Sequence, residues 1–203
     1  MAGEARVAAV VLAAGRGTRF AAGSDAVKVL AEVSGEPMVR RVARAALGSR
    51  ARPVLVVTGH EAEKVRAAIA GLDLVLVGNP DYAAGLSTSL KAGVAALPAD
   101  VEGAVILLGD MPFVSPGLID ALVAAFDADH QCDAVAPVHA GRRGNPVLLS
   151  RLLFPKIDTL TGDEGARRLL SGSARVVELP VEDRAVLVDI DTRDALRGEG
   201  GRS

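Results

Sequence analysis

The sequence predicts an α/β fold in which a mostly parallel sheet is covered by helices on both faces. Continuous apolar runs of strand length occupy residues 7–11, 53–57 and 104–108. Segments with the apolar spacing of helices separate these runs, and a strand that returns to its sheet through a helix lies parallel to its neighbour. Parallel strands are buried on both faces, which explains why the runs show no polar alternation.

The first half of the chain alternates strands and helices. After the strand over 7–11, an amphipathic helix is expected between Pro37 and Gly48, with arginines on its polar face. A strand over 53–57, a helix over 61–70 and a strand over 74–77 follow.

The second half begins with an irregular segment over 78–85. The hydroxyl groups of residues 87–89 are expected to cap a helix whose apolar residues start at Leu90. A buried strand over 104–108 and a helix that starts at Ser115-Pro116 come next. The remaining predicted elements are short strands over 133–137 and 146–149, a capped helix within 161–170, strands over 176–179 and 185–190, a helix from Thr192, and a frayed tail over 198–203.

Composition predicts a single domain over residues 1–203, because half of the residues are hydrophobic and no linker or repeat interrupts them. The formal net charge is −2 with both signs mixed, so no basic stripe is available for nucleic acid. The single cysteine, Cys132, favours a reducing, cytoplasmic location. No apolar run is long enough to cross a bilayer, and residues 1–6 do not resemble a secretion signal.

A glycine-rich loop over residues 12–20 follows the first strand and has the composition of a phosphate site. Gly15 and Gly17 permit a sharp turn that exposes backbone N–H groups. Three cations can supply positive charge: Arg16, Arg19 and Lys28. The loop lacks the Gly-Lys-Ser/Thr of a Walker loop, and Phe20 replaces the third small residue of a dinucleotide fingerprint. An ordinary turn that binds no ligand is the alternative interpretation.

Carboxylates follow two predicted strands at the edge where ligands bind to open α/β sheets. Asp110 follows the strand over 104–108, and Asp189 and Asp191 lie two residues apart in the extended segment at the end of the strand predicted over 185–190. Hard oxygen ligands of this kind suit Mg²⁺ together with phosphate oxygens. Asp110 as a turn residue, and Asp189 and Asp191 as helix caps, are the alternatives.

Six segments in this order resemble the MobA-like nucleotidyltransferases, most closely the molybdenum cofactor cytidylyltransferases. They include Leu-Gly-Asp-Met-Pro over 108–112 and Gly-Asp-Glu-Gly-Ala-Arg over 162–167. The other four are 12–19 with Lys28, 79–90, 141–146 and 188–192, so the resemblance covers nearly the whole chain.

The resemblance implies a three-layer, Rossmann-like nucleotidyltransferase fold. It also implies transfer of a nucleoside monophosphate from an NTP to a small phosphorylated acceptor such as molybdopterin, with release of pyrophosphate. CMP is the expected nucleoside monophosphate. Catalytic roles would fall to Arg19, Lys28 and Asp110, and Mg²⁺ would bind Asp110 with Asp189 or Asp191. Nucleotide-binding positions would be Leu12, Ala13, Ala14, Gly15, Gly17, Arg19, Lys28, Asn79, Gly85, Ser87 and Ser89. Arg142, Arg143 and Asn145 would border the acceptor, and a molybdoenzyme or its chaperone would be a partner.

Base choice is expected to depend on Asn79, which the resemblance places beside the nucleobase. A side-chain amide both donates and accepts hydrogen bonds and suits cytosine, whereas a carboxylate only accepts and suits guanine. By the same resemblance, Ala14 also indicates a preference for CTP over GTP.

Two features keep other interpretations open. The family has a shorter link between the positions of Arg19 and Lys28, so Lys28 is either the family lysine or a surface residue. Gly15 and Gly17 after a strand also fit an NAD(P)-dependent reductase, and an inactive nucleotide-binding or partner-binding domain is a third possibility.

Overall fold

The computed structural model describes residues 6–17, 27–129, 131–172 and 175–189. Within these residues the main sheet has eight strands: β1 (Val7–Leu12), β4 (Val54–Thr58), β5 (Val75–Gly78), β6 (Gly103–Leu108), β7 (Ala134–His139), β8 (Arg142–Arg143), β9 (Val147–Ser150) and β10 (Val176–Pro180). Their order across the sheet is β10-β7-β9-β6-β1-β4-β5, with β8 paired to β7. A separate hairpin pairs β2 (Glu32–Val33) with β3 (Glu36–Pro37).

The sheet is mostly parallel, as the sequence predicts. Strand β1 pairs in parallel with β4 and β6, β4 with β5, and β7 with β10. Strand β9 is antiparallel to both β6 and β7, so β7 and β10 run in the same direction as β6. The carboxyl ends of six strands therefore lie at one edge of the sheet.

Helices cover both faces of the sheet and give three layers. One core contains Val7, Ala9 and Val11 of β1 and is covered by α1 (Met38–Gly48), α2 (Ala62–Ala68) and α4 (Pro116–Ala128). The other contains Val10 and Leu12 and is covered by α3 (Leu86–Ala95), α5 (Phe154–Ile157) and α6 (Ala166–Leu170). Alternate residues of β1 thus supply opposite cores, because successive side chains of a strand point to opposite faces.

Three predicted elements differ from the structure. Helix α6 begins after Gly165, and no side chain caps it, although the sequence predicts a capped helix there. Helix α3 begins at Leu86 with Gly85 at its N-cap, so the hydroxyl groups of residues 87–89 lie in its first turn and do not cap it. The segment predicted as a strand over 185–190 contains a 3-10 helix, Arg184–Leu187, because the Asp183 carboxylate accepts a hydrogen bond from the Ala185 N–H group and starts a turn.

Several predicted features lie outside the described residues: the loop position Arg19, Asp191, the helix from Thr192 and the tail over 198–203. Among the residues that are described, no helix is both long and apolar enough to span a membrane.

Candidate active site

A cavity of about 540 Å³ opens at the carboxyl ends of β1 and β6. Its wall is formed by the glycine loop, the 3-10 helix that begins at Lys28, parts of the 82–89 segment, Asp110 and Asp163. This is the edge at which the sequence places the ligand site, and it is where open α/β sheets bind ligands.

The two loop glycines serve different purposes. A Cβ atom added at Gly15 would meet no protein atom within 4 Å, and Gly15 lines the cavity. Gly17 has a φ of +58°, and a Cβ atom there would lie 2.5 Å from the Cβ atom of Lys28. In this part of the described chain, the N–H groups of residues 15–17 donate to no backbone acceptor, and N–H groups presented in this way suit an anion.

Lys28 lines the cavity and is buried, so it is not the surface residue of the alternative interpretation. Its Nζ atom lies 2.6 Å from Oδ2 of Asp110, and its side chain is 10% exposed. Asp110 is held next to the glycine loop because the N–H group of the preceding residue, Gly109, donates to the Leu12 carbonyl oxygen at 2.9 Å.

The Asp110 carboxylate also has the property expected of a metal ligand. Its Oδ1 atom is buried and has no hydrogen-bond partner. A buried carboxylate oxygen without a donor is costly unless a cation satisfies it, so this residue fits Mg²⁺ or a similar ion. No group of three or more His, Cys, Asp or Glu side chains that could hold a metal is found in the described ranges.

Asp189, one of the two further metal ligands that the resemblance implies, does not lie beside Asp110. Asp189 is exposed and does not line the cavity. Its charge acts instead on Arg167 of α6. The structure does not bring Asp189 to Asp110, so a shared metal site stays a prediction, and Asp191 lies outside the described residues.

Asn79 is placed differently from the expectation that its amide faces the base. It is 4% exposed and does not line the cavity. Its Nδ2 atom donates to the hydroxyl groups of Thr88 and Ser89, at 2.9 and 3.1 Å, and its Oδ1 atom accepts from the Asp81 N–H group. Asn79 thus holds the turn between β5 and α3 and lies behind the cavity wall. The contact of its amide with a base stays a prediction.

The remaining predicted nucleotide positions divide into two groups. Leu12, Ala14, Gly85 and Ser89 line the cavity. Ala13 points into the core on the opposite face of the sheet, and the buried Ser87 donates its N–H group to the Gly162 carbonyl oxygen, so neither side chain lines the cavity.

Tyr82 and Asp163 belong to the cavity wall but are not among the site residues that the sequence predicts. Tyr82 lines the cavity beside Arg16, whose guanidinium lies 5.6 Å from the ring centroid. Asp163 accepts a hydrogen bond from the Leu86 N–H group at 3.3 Å, at the start of α3. Tyr82 is the chain's only tyrosine, and its position between the Asn79 turn and Gly85 is the signal that sequence reasoning had available.

The predicted acceptor residues lie at the same edge of the sheet but outside the described cavity wall. Arg142 and Arg143 form the exposed strand β8, where the Arg143 side chain pairs with Glu178 at 2.7 Å. The N–H group of Asn145 donates to the Val186 carbonyl oxygen. Asn145 therefore anchors this hairpin to the 3-10 helix Arg184–Leu187.

Arg167 of α6 contacts the hairpin that carries Arg142 and Arg143. It donates from Nη2 to the Arg143 carbonyl oxygen at 2.8 Å. Burial lowers the pKa of Arg167 from its usual range, the Asp189 carboxylate opposes this shift, and the nearby Arg142 adds to it. Arg142, Arg167 and Asp189 are thus electrostatic neighbours, and Arg142 is the better candidate of the hairpin arginines for an anionic acceptor because Arg143 is paired.

Comparison with known proteins settles the family. The sequence model of the MobA-like NTP transferase domain matches residues 9–178. The chain belongs to this family. The MobA-like NTP transferase domain thus extends from β1 to β10 and includes both the glycine loop and Asp110.

Individual relatives agree with the fold. Rv0371C of Mycobacterium tuberculosis H37Rv, solved in complex with manganese, superposes with a TM-score of 0.82 at 27% identity, over 98% of this chain and 100% of that chain. A nucleotidyl transferase from Methanothermobacter has a TM-score of 0.80 at 25% identity, over 96% and 95% of the two chains. These superpositions confirm the predicted Rossmann-like, three-layer architecture.

Among curated proteins, the bifunctional protein GlmU of Kineococcus radiotolerans is 38% identical over 123 residues, or 60% of this chain and 25% of that protein. The chain spans about a quarter to a third of the length of the curated relatives that it matches.

Proposed function

We propose that this protein is a nucleotidyltransferase that moves a nucleoside monophosphate from an NTP to a small phosphorylated acceptor and releases pyrophosphate. The observation that carries the proposal is the Lys28–Asp110 pair, which lies beside the glycine loop within a cavity of about 540 Å³. A cation next to free N–H groups suits a triphosphate, and a carboxylate with one unsatisfied oxygen suits the divalent ion that accompanies it.

The residues of the chain would act by holding and orienting the triphosphate of the NTP and the phosphate of the acceptor. The N–H groups of residues 15–17 and the Lys28 ammonium bind the triphosphate, and we propose that Arg19 adds a second cation. Asp110 would hold Mg²⁺, which supplies Lewis acidity and charge neutralisation at the phosphates when bound. No covalent intermediate on the protein is needed, since positioning and electrostatics provide most of the catalysis in such transfers.

We propose CTP as the preferred donor and molybdopterin as the preferred acceptor. The support is the ordered resemblance of six segments to the molybdenum cofactor cytidylyltransferases, together with the basic neighbourhood of Arg142 and Arg167 at the same sheet edge. Transfer of the product to a molybdoenzyme or its chaperone, in the cytoplasm, would follow from this assignment.

The experiment is to incubate the protein with MgCl₂, purified molybdopterin and either CTP or GTP, and to measure pyrophosphate. We expect acceptor-dependent release that is faster with CTP. Asp110→Asn, which keeps the size of the side chain but loses its charge, should lower kcat/KM at least about a hundredfold, or about 2.7 kcal/mol of transition-state stabilisation.

Lys156→Gln is the matched control, because Lys156 is an exposed residue of α5 outside the cavity wall. It should leave the rate unchanged. Absence of pyrophosphate with molybdopterin but release with another phosphorylated acceptor would correct the substrate only. Oxidation of NADPH without pyrophosphate release would instead establish the reductase alternative.

A further inference from the structure

We propose that the Lys28 ammonium repels free divalent cations from Asp110. A divalent metal ion therefore binds at Asp110 only together with the phosphates of a nucleotide. The nucleotide half of this inference rests on the proposed function. The exclusion of free metal does not, and it can be measured on the protein alone.

The first support is the way in which the pair is held. The Nζ atom of Lys28 lies 2.6 Å from Oδ2 of Asp110, and the two side chains are 10% and 22% exposed. The Lys28 Cβ atom also packs so closely on Gly17 that a Cβ atom added there would be 2.5 Å away. This packing fixes where the Lys28 side chain starts, beside the cavity, and the ion pair with Asp110 holds its ammonium at the carboxylate.

The second support is the free oxygen of the carboxylate. Oδ1 of Asp110 is buried without a hydrogen-bond partner, and it is the atom that a cation would satisfy. A cation on this oxygen would lie within a few ångströms of the Lys28 ammonium, because both bind the same carboxylate. Like charges at such a distance repel strongly in a partly buried site.

Charge balance then favours the nucleotide-bound metal. One carboxylate, one ammonium and a divalent ion together leave two positive charges without a partner. A triphosphate offsets this excess, because its oxygens accept hydrogen bonds from the ammonium and coordinate the metal at the same time. The same lysine thus weakens the binding of free metal and strengthens the binding of nucleotide.

The test measures Mn²⁺ binding to nucleotide-free protein by the loss of the electron paramagnetic resonance signal of free Mn²⁺. The variants Lys28→Gln, which keeps a hydrogen-bond donor, and Lys28→Met, which keeps the length of the side chain, remove the charge in two ways. Both should bind free Mn²⁺ at least about tenfold more tightly than the parent, which corresponds to about 1.4 kcal/mol. Both should bind CTP more weakly in equilibrium dialysis.

Three controls separate charge from other effects. Lys28→Arg retains a cation and should bind Mn²⁺ as weakly as the parent. Lys156→Gln loses a distant charge and should not change Mn²⁺ affinity. Asp110→Asn in the Lys28→Gln background should abolish the gain, and thermal unfolding of each variant confirms that it is folded.

Equal Mn²⁺ affinity of the parent and both neutral variants would overturn the inference, as would a gain that Lys28→Arg shows equally. Either result would leave the proposed function standing, since no nucleotide is present. Conversely, tighter Mn²⁺ binding in a protein that binds no NTP would support the exclusion of free metal and count against the proposed function.

Discussion

At the scale of single residues, the two glycines of the loop have different structural reasons, which the sequence pattern does not distinguish. Gly17 is required by the fold, because its φ of +58° and its contact with Lys28 leave no room for a side chain. Gly15 has open space before it and a place in the cavity wall. The absence of a side chain at Gly15 therefore leaves space in the cavity and is not required by the folded chain.

This difference predicts opposite outcomes for two alanine substitutions. Gly17→Ala should lower the free energy of unfolding by about 1–3 kcal/mol, because alanine is strained at positive φ and must displace Lys28. Gly15→Ala should unfold like the parent but bind CTP about tenfold more weakly, since its methyl group occupies the place of the ligand. Urea denaturation and equilibrium dialysis measure the two effects. If neither variant bound CTP more weakly than the parent, the loop would be an ordinary turn.

At the scale of elements, the turn between β5 and α3 shapes the cavity through buried side-chain contacts. Asn79 holds its two ends together through Thr88 and Ser89. Gly85 lies so close to Gly162 that an added Cβ atom would be 2.3 Å from the Gly162 backbone. The start of α3 is thereby fixed against the 162–163 segment, and this contact brings Asp163 to the cavity wall.

The role of Asn79 predicts a loss of stability when its amide becomes a carboxylate. Asn79→Asp removes both donated hydrogen bonds and buries a charge, so the free energy of unfolding at pH 7 should fall by about 2–4 kcal/mol. Thr88→Val, which removes one of the two partners, should cost about 1 kcal/mol. If Asn79→Asp were as stable as the parent and yet reversed the ratio of kcat/KM for CTP and GTP, the amide would read the base directly.

The sequence pattern predicts the central parallel strands of the sheet correctly. It does not predict segments whose conformation depends on tertiary contacts. The apolar runs of β1, β4 and β6 are buried on both faces, so pattern and structure agree. The apolar run after Asp183 has the same composition, but Ala185 and Val186 are buried by packing and not by pairing in the sheet. Composition alone does not distinguish these two ways of burying a side chain.

The candidate site shows the same division between local and tertiary information. The position of Asp110 at the cavity follows from the sequence because Asp110 directly follows a buried strand. The position of Lys28 does not follow from spacing, because it depends on a close contact with Gly17. The hydrogen bonds of the Asn79 amide are equally hidden from the sequence, because its partners lie nine and ten residues further along the chain.

At the scale of the whole molecule, the ligand site joins segments that are far apart in the sequence. The ion pair between Lys28 and Asp110 spans 82 residues, and the hydrogen bond from Leu86 to Asp163 spans 77. Global unfolding must break both contacts, so a ligand that binds between these segments stabilises the entire fold through mass action.

This coupling predicts a joint effect of nucleotide and metal on thermal unfolding. A ligand present at about one hundred times its Kd stabilises by about 2.7 kcal/mol, and for a chain of this size that raises Tm by about 5–10 °C. CTP with MgCl₂ should give this full shift in differential scanning calorimetry, whereas MgCl₂ alone should give almost none, because the Lys28 ammonium opposes free metal at Asp110. In Asp110→Asn, adding MgCl₂ to CTP should produce no further rise, although CTP alone still stabilises through the glycine loop and Lys28. A parent protein whose Tm rose as much with MgCl₂ alone as with both ligands would show that metal and nucleotide bind independently.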